Sequence, residues 1–271
     1  MMRHVLLLPA GLLLTVCFIV PVIAIFYIAL FDPSFSTAHF SRLFASKGFM
    51  GVFGHSVNVA LVVTLACLVL GYPFAVFLIF QPPERRYLWL LAALVPMWMS
   101  ILIRSYAWMV VLGREGIVND MLVLSGLTEA PIKLLHTSGA VHVAMVQIML
   151  PLMIVTCYAG MTTIDLTLLR AARVLGASPL RAFFGTFFPL SLSGAVNGSV
   201  VVFILALGFF VTPALLGGRR DMMVANIISV LIEQNNWAFA ATVAIVLLVM
   251  TLSILALFGG LARLARHAGG G

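Results

Sequence analysis

The sequence predicts an all-α integral membrane protein of six transmembrane helices, and three observations support this. Hydrophobic residues make up 63% of the 271-residue chain and charged residues only 8%, where a water-soluble domain carries about 25% charged residues. Mean hydropathy is +1.20, and no soluble fold of this length hides so much apolar surface, because surface area falls too slowly with size. The apolar residues are also gathered into six long runs, approximately Val5–Phe31, Val57–Phe80, Leu88–Leu112, Ala140–Met161, Leu190–Thr212 and Phe239–Leu261.

Each run is long enough to span, since a helix rises about 1.5 Å per residue and needs about 20 apolar residues for the hydrocarbon core. Helix is preferred to strand because the runs lack period-2 alternation, and lipid admits only helices or closed barrels. The first run follows a basic start, Arg3 and His4, but its apolar stretch exceeds the roughly 7–15 residues of a cleaved signal core. It reads as a retained signal-anchor helix.

An even number of spans puts both termini on one side. With the termini inside, the inner segments carry Arg3, Arg85, Arg86, Arg170, Arg173, Arg181, Arg263 and Arg266 against Glu84 and Asp165. The outer segments carry Arg42, Lys47, Arg114, Lys133, Arg219 and Arg220, balanced by Asp32, Glu115, Asp120, Glu129, Asp221 and Glu233. The inner segments are shorter and more densely basic, so the positive-inside rule predicts an N-in, C-in arrangement. The outer loops, near 32–55, 113–138 and 213–237, are long, and their acids are expected to be solvated or to meet an external partner. The inner turn Gln81–Tyr87 is short and broken by Pro82-Pro83. The chain divides into an N-terminal helix with its outer loop (1–54), a five-helix core (55–262) and a short tail (263–271).

Several functions are excluded. The net charge of +7 and pI near 9.9 do not indicate nucleic acid, because the basic residues are scattered between apolar runs. Cys17, Cys67 and Cys157 each lie inside an apolar run and have neither disulfide nor metal-ligand spacing. Lys47 and Lys133, the two lysines, follow Ser46 and Ile132, so neither belongs to a Walker A loop, which needs Gly before its lysine. The chain is therefore expected to bind no cofactor and to catalyse nothing itself. An intramembrane serine protease would need a Gly-x-Ser-Gly nucleophile, which is absent, and His142 is the only histidine in a predicted span. Half of a secondary transporter would show charged coupling residues at mid-membrane and an internal repeat, and neither is visible.

The inner segment 162–189 is too long for a turn and too amphipathic for a linker. Asp165 suits an N-cap, and the Leu, Ala and Arg residues from Leu166 to Leu175 form helix well. Gly176 suits the left-handed position after a helix. Ser178-Pro179 then suits a fresh N-cap and first helical position, so a short helix over about 165–176, a turn and a second helix are predicted. Arg170 and Arg173, three apart, share a face. They would either anchor to lipid headgroups or dock a cytoplasmic partner.

Arg170-Ala171-Ala172, Gly176 and the later Pro189 resemble the "EAA" signature of binding-protein-dependent ABC importer permeases. In that signature Glu-Ala-Ala is followed at fixed spacing by Gly and then Ile-x-Leu-Pro. Here Arg170 stands for the usual Glu, Thr186 for Ile and Phe188 for Leu. The resemblance implies a type I importer permease fold whose cytoplasmic coupling helix seats in a groove of a partner ATPase. Asp165, Arg170, Ala171, Ala172, Arg173, Gly176, Ser178 and Pro179 would then form the ATPase-coupling loop. The strings Pro96 to Trp108, Phe210 to Gly218 and Asn236-Trp237 are similar to spermidine/putrescine-type permeases, a branch that also takes opines and small amines. The implied partners are two ATP-binding subunits carrying ATP and Mg, a second, non-identical permease subunit and an extracytoplasmic substrate-binding protein. The implied location is the bacterial inner membrane.

Arg104 is the one basic residue inside a predicted span, and a charge there costs about 2.5–3.5 kcal/mol at a helix centre. It is expected to face the bundle or a wet cavity as a gate residue, or else to snorkel to the outer headgroups. Trp98, Tyr106 and Trp108 could receive an ammonium group by cation–π contact or belong to an interfacial aromatic belt. Asn58, Gln147 and Asn197 could line the path or bond across helices. No Asp or Glu lies deep in any predicted span, so a cation path would draw its acid from the second permease subunit.

Overall fold

The third predicted helix is broken. The computed structural model shows Pro83–Leu94 (α4 below), a tight turn at Val95–Trp98, and a second helix, Ile101–Val111 (α5), bent by 92° from the first. Pro96 lacks an amide proton and cannot continue the hydrogen-bond ladder. Met99 and Ser100 then run extended, with ψ of 139° at both. The expectation of one continuous helix over Leu88–Leu112 is corrected accordingly. Non-helical backbone at membrane depth is tolerated only where protein or water covers it.

The structure describes residues 11–31 and 34–268, with the side chains of 260–268 not described. The basic start at Arg3 and His4, the first residues of the Val5–Phe31 run, Asp32, the side chains of Arg263 and Arg266, and the final glycines lie outside the described residues. In chain order the remaining helices are α1 (Gly11–Phe31), α2 (Ala38–Ala45), α3 (Lys47–Ile79), α6 (Ile117–Leu124), α7 (Ser138–Thr162), α8 (Thr167–Val174), α9 (Pro179–Leu207), α10 (Val211–Leu216), α11 (Val224–Glu233) and α12 (Trp237–Ala268). No strand occurs among the described residues. Five helices are long and apolar enough to cross a membrane, or six when the bent α4–α5 pair is counted as one span.

Two compact units emerge, one from residues 1–54 with 223–271 and the other from 55–222. In the first, α12 packs on α1, α2 and α11. Its core holds Leu43, Phe53, Val224, Leu231, Phe239, Ala240 and Val243. Phe239 is its aromatic hub: the Phe49 ring meets it edge-on at 5.0 Å, and the Arg42 guanidinium sits 5.0 Å from its centroid. The segment near 32–55, expected to be an outer loop, is therefore largely helical among its described residues, with α3 beginning ten residues before the predicted Val57.

In the second unit α7 is the central helix. Its buried residues, among them Ala144, Met145, Met153 and Cys157, recur around the whole helix, so it is surrounded by protein. Its main neighbour is α9, and it also touches α5 and α10. Gly160 of α7 and Gly194 of α9 set that approach, as a Cβ on Gly160 would lie 2.5 Å from the Gly194 Cα. Small residues at such a crossing let backbones meet in lipid, where packing drives association. A hydrogen bond of 2.5 Å between the Tyr72 and Ser191 hydroxyls ties α3 to α9. The fifth span starts earlier than predicted, at Pro179, because the second inner helix runs straight into it through a wider turn at Phe183–Phe187.

Candidate functional site

The segment between α7 and α9 forms a helix, a turn and a second helix, each end chemically capped. The Thr167 amide donates to Asp165 Oδ1 at 2.9 Å, so the first helix starts at Thr167, two residues after the predicted boundary. That backbone N–H, then the Thr167 side chain and lastly the charge of Arg170, hold the Asp165 carboxyl below its ordinary range. At the far end Gly176 has φ of +88°. The Ala177 amide donates to Ala172 O at 3.1 Å and the Gly176 amide to Arg173 O at 3.1 Å, the paired bonds of a Schellman ending. Ser178 Oγ then accepts from the Arg181 amide at 3.3 Å, with Pro179 in the first turn.

Arg170, Ala171 and Arg173 are exposed, and Ala172 is half-buried. Beside them Leu168, Val174, Leu175 and Leu180 are exposed, Leu175 to 88%. Bare leucine and valine next to two arginines outside the spans make a mixed apolar and basic crest that no residue among those described covers. The arginines were visible in the sequence, whereas the crest was passed over. Its signal was the apolar side chains left on a helix otherwise rich in alanine and arginine.

The second group of residues lies at the broken span. Trp98, in the turn, is 75% exposed, and Tyr106 is exposed as well. Arg104 is only 8% exposed, and its Nε and Nη1 are buried without an acceptor among the described residues. Its neighbour Ser105 shares a fully buried hydrogen bond of 3.0 Å with Thr212 of α10, so two short helices are locked together. Trp108 Nε1 donates to Gln147 Oε1 of α7 at 3.4 Å, a link across helices. Asn58 on α3 and Asn197 on α9 are exposed, and no hydrogen bond joins either to the α5 residues among those described.

Two of the segments expected to lie outside the membrane are more ordered than a solvated loop. Asp221, one of the acids expected to be solvated or to meet an external partner, is 5% exposed. Its carboxylate accepts from the Gly218 amide at 2.8 Å and from the Ser138 hydroxyl at the start of α7. The preceding glycines have no room for a side chain, since a Cβ on Gly217 would lie 2.5 Å from Pro213 O and one on Gly218 3.0 Å from His136 O. Asn119, fully buried, donates to Gly113 O at 2.8 Å and Ile132 O at 3.1 Å and accepts from the Ile132 amide at 2.9 Å. Sequence reasoning missed both, because a polar residue in a loop does not announce that it will be buried against loop carbonyls 6 and 13 residues away, as Asn119 is, or against a hydroxyl 83 residues away, as Asp221 is.

The geometry has counterparts among known proteins. No family model matches the chain. It is 40% identical over 203 residues to the spermidine/putrescine transport system permease protein PotB of Escherichia coli (strain K12), covering 74% of each chain. It is 38% identical over 197 residues to the protein of the same name from Haemophilus influenzae, covering 72% of this chain and 69% of the relative. Among solved structures, it resembles a chain of a bacterial ABC transporter involved in the import of the acidic polysaccharide alginate. The TM-score is 0.76 at 19% identity, covering 97% of this chain and 95% of that one.

Proposed function

This chain belongs to the spermidine/putrescine-type permeases of ABC importers, and we propose that it forms one of two membrane halves through which a polyamine is imported at the expense of ATP. It is a multi-pass protein of the inner membrane. The observation that carries the proposal is the capped loop from Asp165 to Pro179, with its crest of Leu168, Arg170, Arg173, Val174 and Leu175 outside the spans. Such a surface fits a groove on a partner, and the partner is an ATP-binding subunit, one for each membrane half. ATP and Mg reside there.

The loop is built to carry force. Caps at Asp165 and Ser178 and the Schellman ending at Gly176 fix its angles, so a push on α8 is not absorbed by fraying. The loop continues into α7 on one side and α9 on the other, and these meet backbone to backbone at Gly160 and Gly194. A rotation imposed by closing ATPase subunits therefore moves both helices as one body. Their partner in the path is the broken span, where Trp98 and Tyr106 offer aromatic faces for an ammonium group, each worth about 0.5–2 kcal/mol.

Arg104 would repel a polycation, so its role in this reading is a gate or an anchor rather than a ligand. The carboxylate that a polyamine path needs comes from the second, non-identical permease subunit. The outer segments ordered by Asn119 and Asp221 face the substrate-binding protein. Asn58 and Asn197, polar and uncovered in this half, lie toward the second half or the path.

The test is reconstitution with the ATPase, second permease and binding protein in lipid discs, with ATP hydrolysis measured against a panel of polyamines, opines and small amines. Stimulation by spermidine or putrescine is expected. Turnover that ignores polyamines and answers to another amine would replace the solute, and turnover untouched by deletion of 167–176 would remove the coupling role.

A further inference from the structure

We propose that the cleft between the end of α3 and the start of α4 is a binding site for an anionic phospholipid, headed by Arg85. A cavity of about 690 Å³ is lined there by Phe77, Gln81, Arg85, Leu88, Trp89 and Ala92. The four α4 residues are spaced i, i+3, i+4 and i+7, so they form a single stripe on one helix face. The stripe is ordered by polarity. Arg85 stands in the first turn beside the Pro82-Pro83 break, and the apolar residues follow deeper in the helix. From Arg85 to Ala92 the stripe runs about 10 Å along the helix axis, placing a cation at headgroup level and an apolar wall at the depth of the first acyl carbons. The edge-to-face contact of Phe77 with Trp89, at 5.8 Å between ring centres, closes that wall.

The neighbouring cation shows why Arg85 is the recognising group. Arg86 Nη2 donates to Ile79 O at 3.0 Å and Gln81 O at 2.9 Å, so it caps the last carbonyl of α3 and one of the turn that follows. Arg85 is exposed and makes no hydrogen bond or ion pair among the described residues. Glu84, the adjacent acid, does not line the cavity. A positive mouth above an apolar trough complements a phosphodiester with acyl tails, and basic clefts between membrane helices bind anionic headgroups on this principle. Free phosphate would find the cation and nothing else, while a lipid fills the trough.

Full-length protein in lipid discs is exposed to diazirine-bearing phosphatidylglycerol or phosphatidylcholine, and photo-adducts are mapped by peptide mass spectrometry. Adducts at 77–92 are expected to favour phosphatidylglycerol by about fivefold, the effect of one basic residue at a membrane surface. Arg85→Gln brings the ratio near one, Arg85→Lys keeps it, and Trp89→Ala lowers labelling by both lipids. Excess inorganic phosphate leaves the ratio unchanged. Equal labelling of the wild type by the two lipids, an unaltered preference in Arg85→Gln, or competition by phosphate would each overturn the site. The readout needs no transport, so it stands or falls apart from the polyamine reading.

Discussion

Gly160 and Gly194 face each other across the α7–α9 crossing, where a Cβ on Gly160 would meet the Gly194 Cα at 2.5 Å and its amide nitrogen at 3.1 Å. The obstructing atoms are backbone, so neither helix can yield locally. Gly160→Ala or Gly194→Ala is expected to destabilise the protein by about 1–3 kcal/mol, the usual cost of overpacking. Gly198 differs, because its nearest neighbour is the flexible Met153 thioether at 2.9 Å, and Gly198→Ala should cost less. Gly185, with nothing within 4 Å, is the neutral control. Thermal unfolding in detergent checks the order, and a Gly160→Ala protein as stable as wild type would show that α7 and α9 are not locked there.

Gly176 raises a different cost. Nothing lies within 4 Å of its would-be Cβ, yet its φ is +88°. Gly176→Ala meets no clash but must hold an L-residue in the left-handed region, at roughly 1–2 kcal/mol. The expected outcome is near-normal folding with weaker linkage of ATP hydrolysis to uptake, since the strain sits in the loop alone. Gly176→Asn, which tolerates that conformation better, should recover part of the linkage. Equal coupling in all three proteins would mean that the angle between α8 and α9 does not matter.

Much of this loop was legible in the sequence because its signals are local. Gly176, Ser178 and Pro179 act within a few residues of themselves, and the structure places each as its chemistry demands. The six apolar runs were legible for the same reason. The break at Met99 and Ser100 was not, although Pro96 was in plain view. Pro73 and Pro151 lie inside continuous helices, so a proline alone does not say whether a membrane helix bends or breaks. Asp221 was misjudged because its Ser138 partner lies 83 residues away. Hydropathy reads what a residue prefers and not which distant hydroxyl will find it.

Asp165 links the loop to pH. Its carboxylate pKa is lowered in the folded protein, chiefly by the Thr167 amide. A depressed folded pKa contributes stability that is present above the unfolded value, about 3.9, and is lost as pH falls through the folded value. The cap should therefore be at full strength from neutral pH down to about pH 4 and weaken only in stronger acid. Hydrogen exchange at Thr167 and Leu168 checks this. Asp165→Ala should exchange faster than wild type at neutral pH, Asp165→Asn should fall between the two, and in strong acid the wild type should drop to the level of Asp165→Asn. An Asp165→Ala loop protected like wild type at neutral pH would remove the cap from the argument.

The Ser105 and Thr212 hydroxyls join α5, the second helix of the broken span, to α10, with both side chains fully buried. Hydrogen bonds between membrane helices average about 0.6 kcal/mol and reach about 1.7 kcal/mol. Here neither hydroxyl has water to turn to, which places this pair toward the upper figure. Ser105→Ala alone strands the Thr212 hydroxyl, and Thr212→Val alone strands that of Ser105. The double variant strands neither, so its loss should fall below the sum of the two single losses, the signature of a direct interaction. Arg104 precedes Ser105 in the helix, so loosening this contact should also free the buried guanidinium. Cysteine-accessibility labelling at Met99 and Ser100 reads that change, with faster labelling expected in either single variant. Strictly additive losses and unchanged labelling would leave α5 held by packing alone.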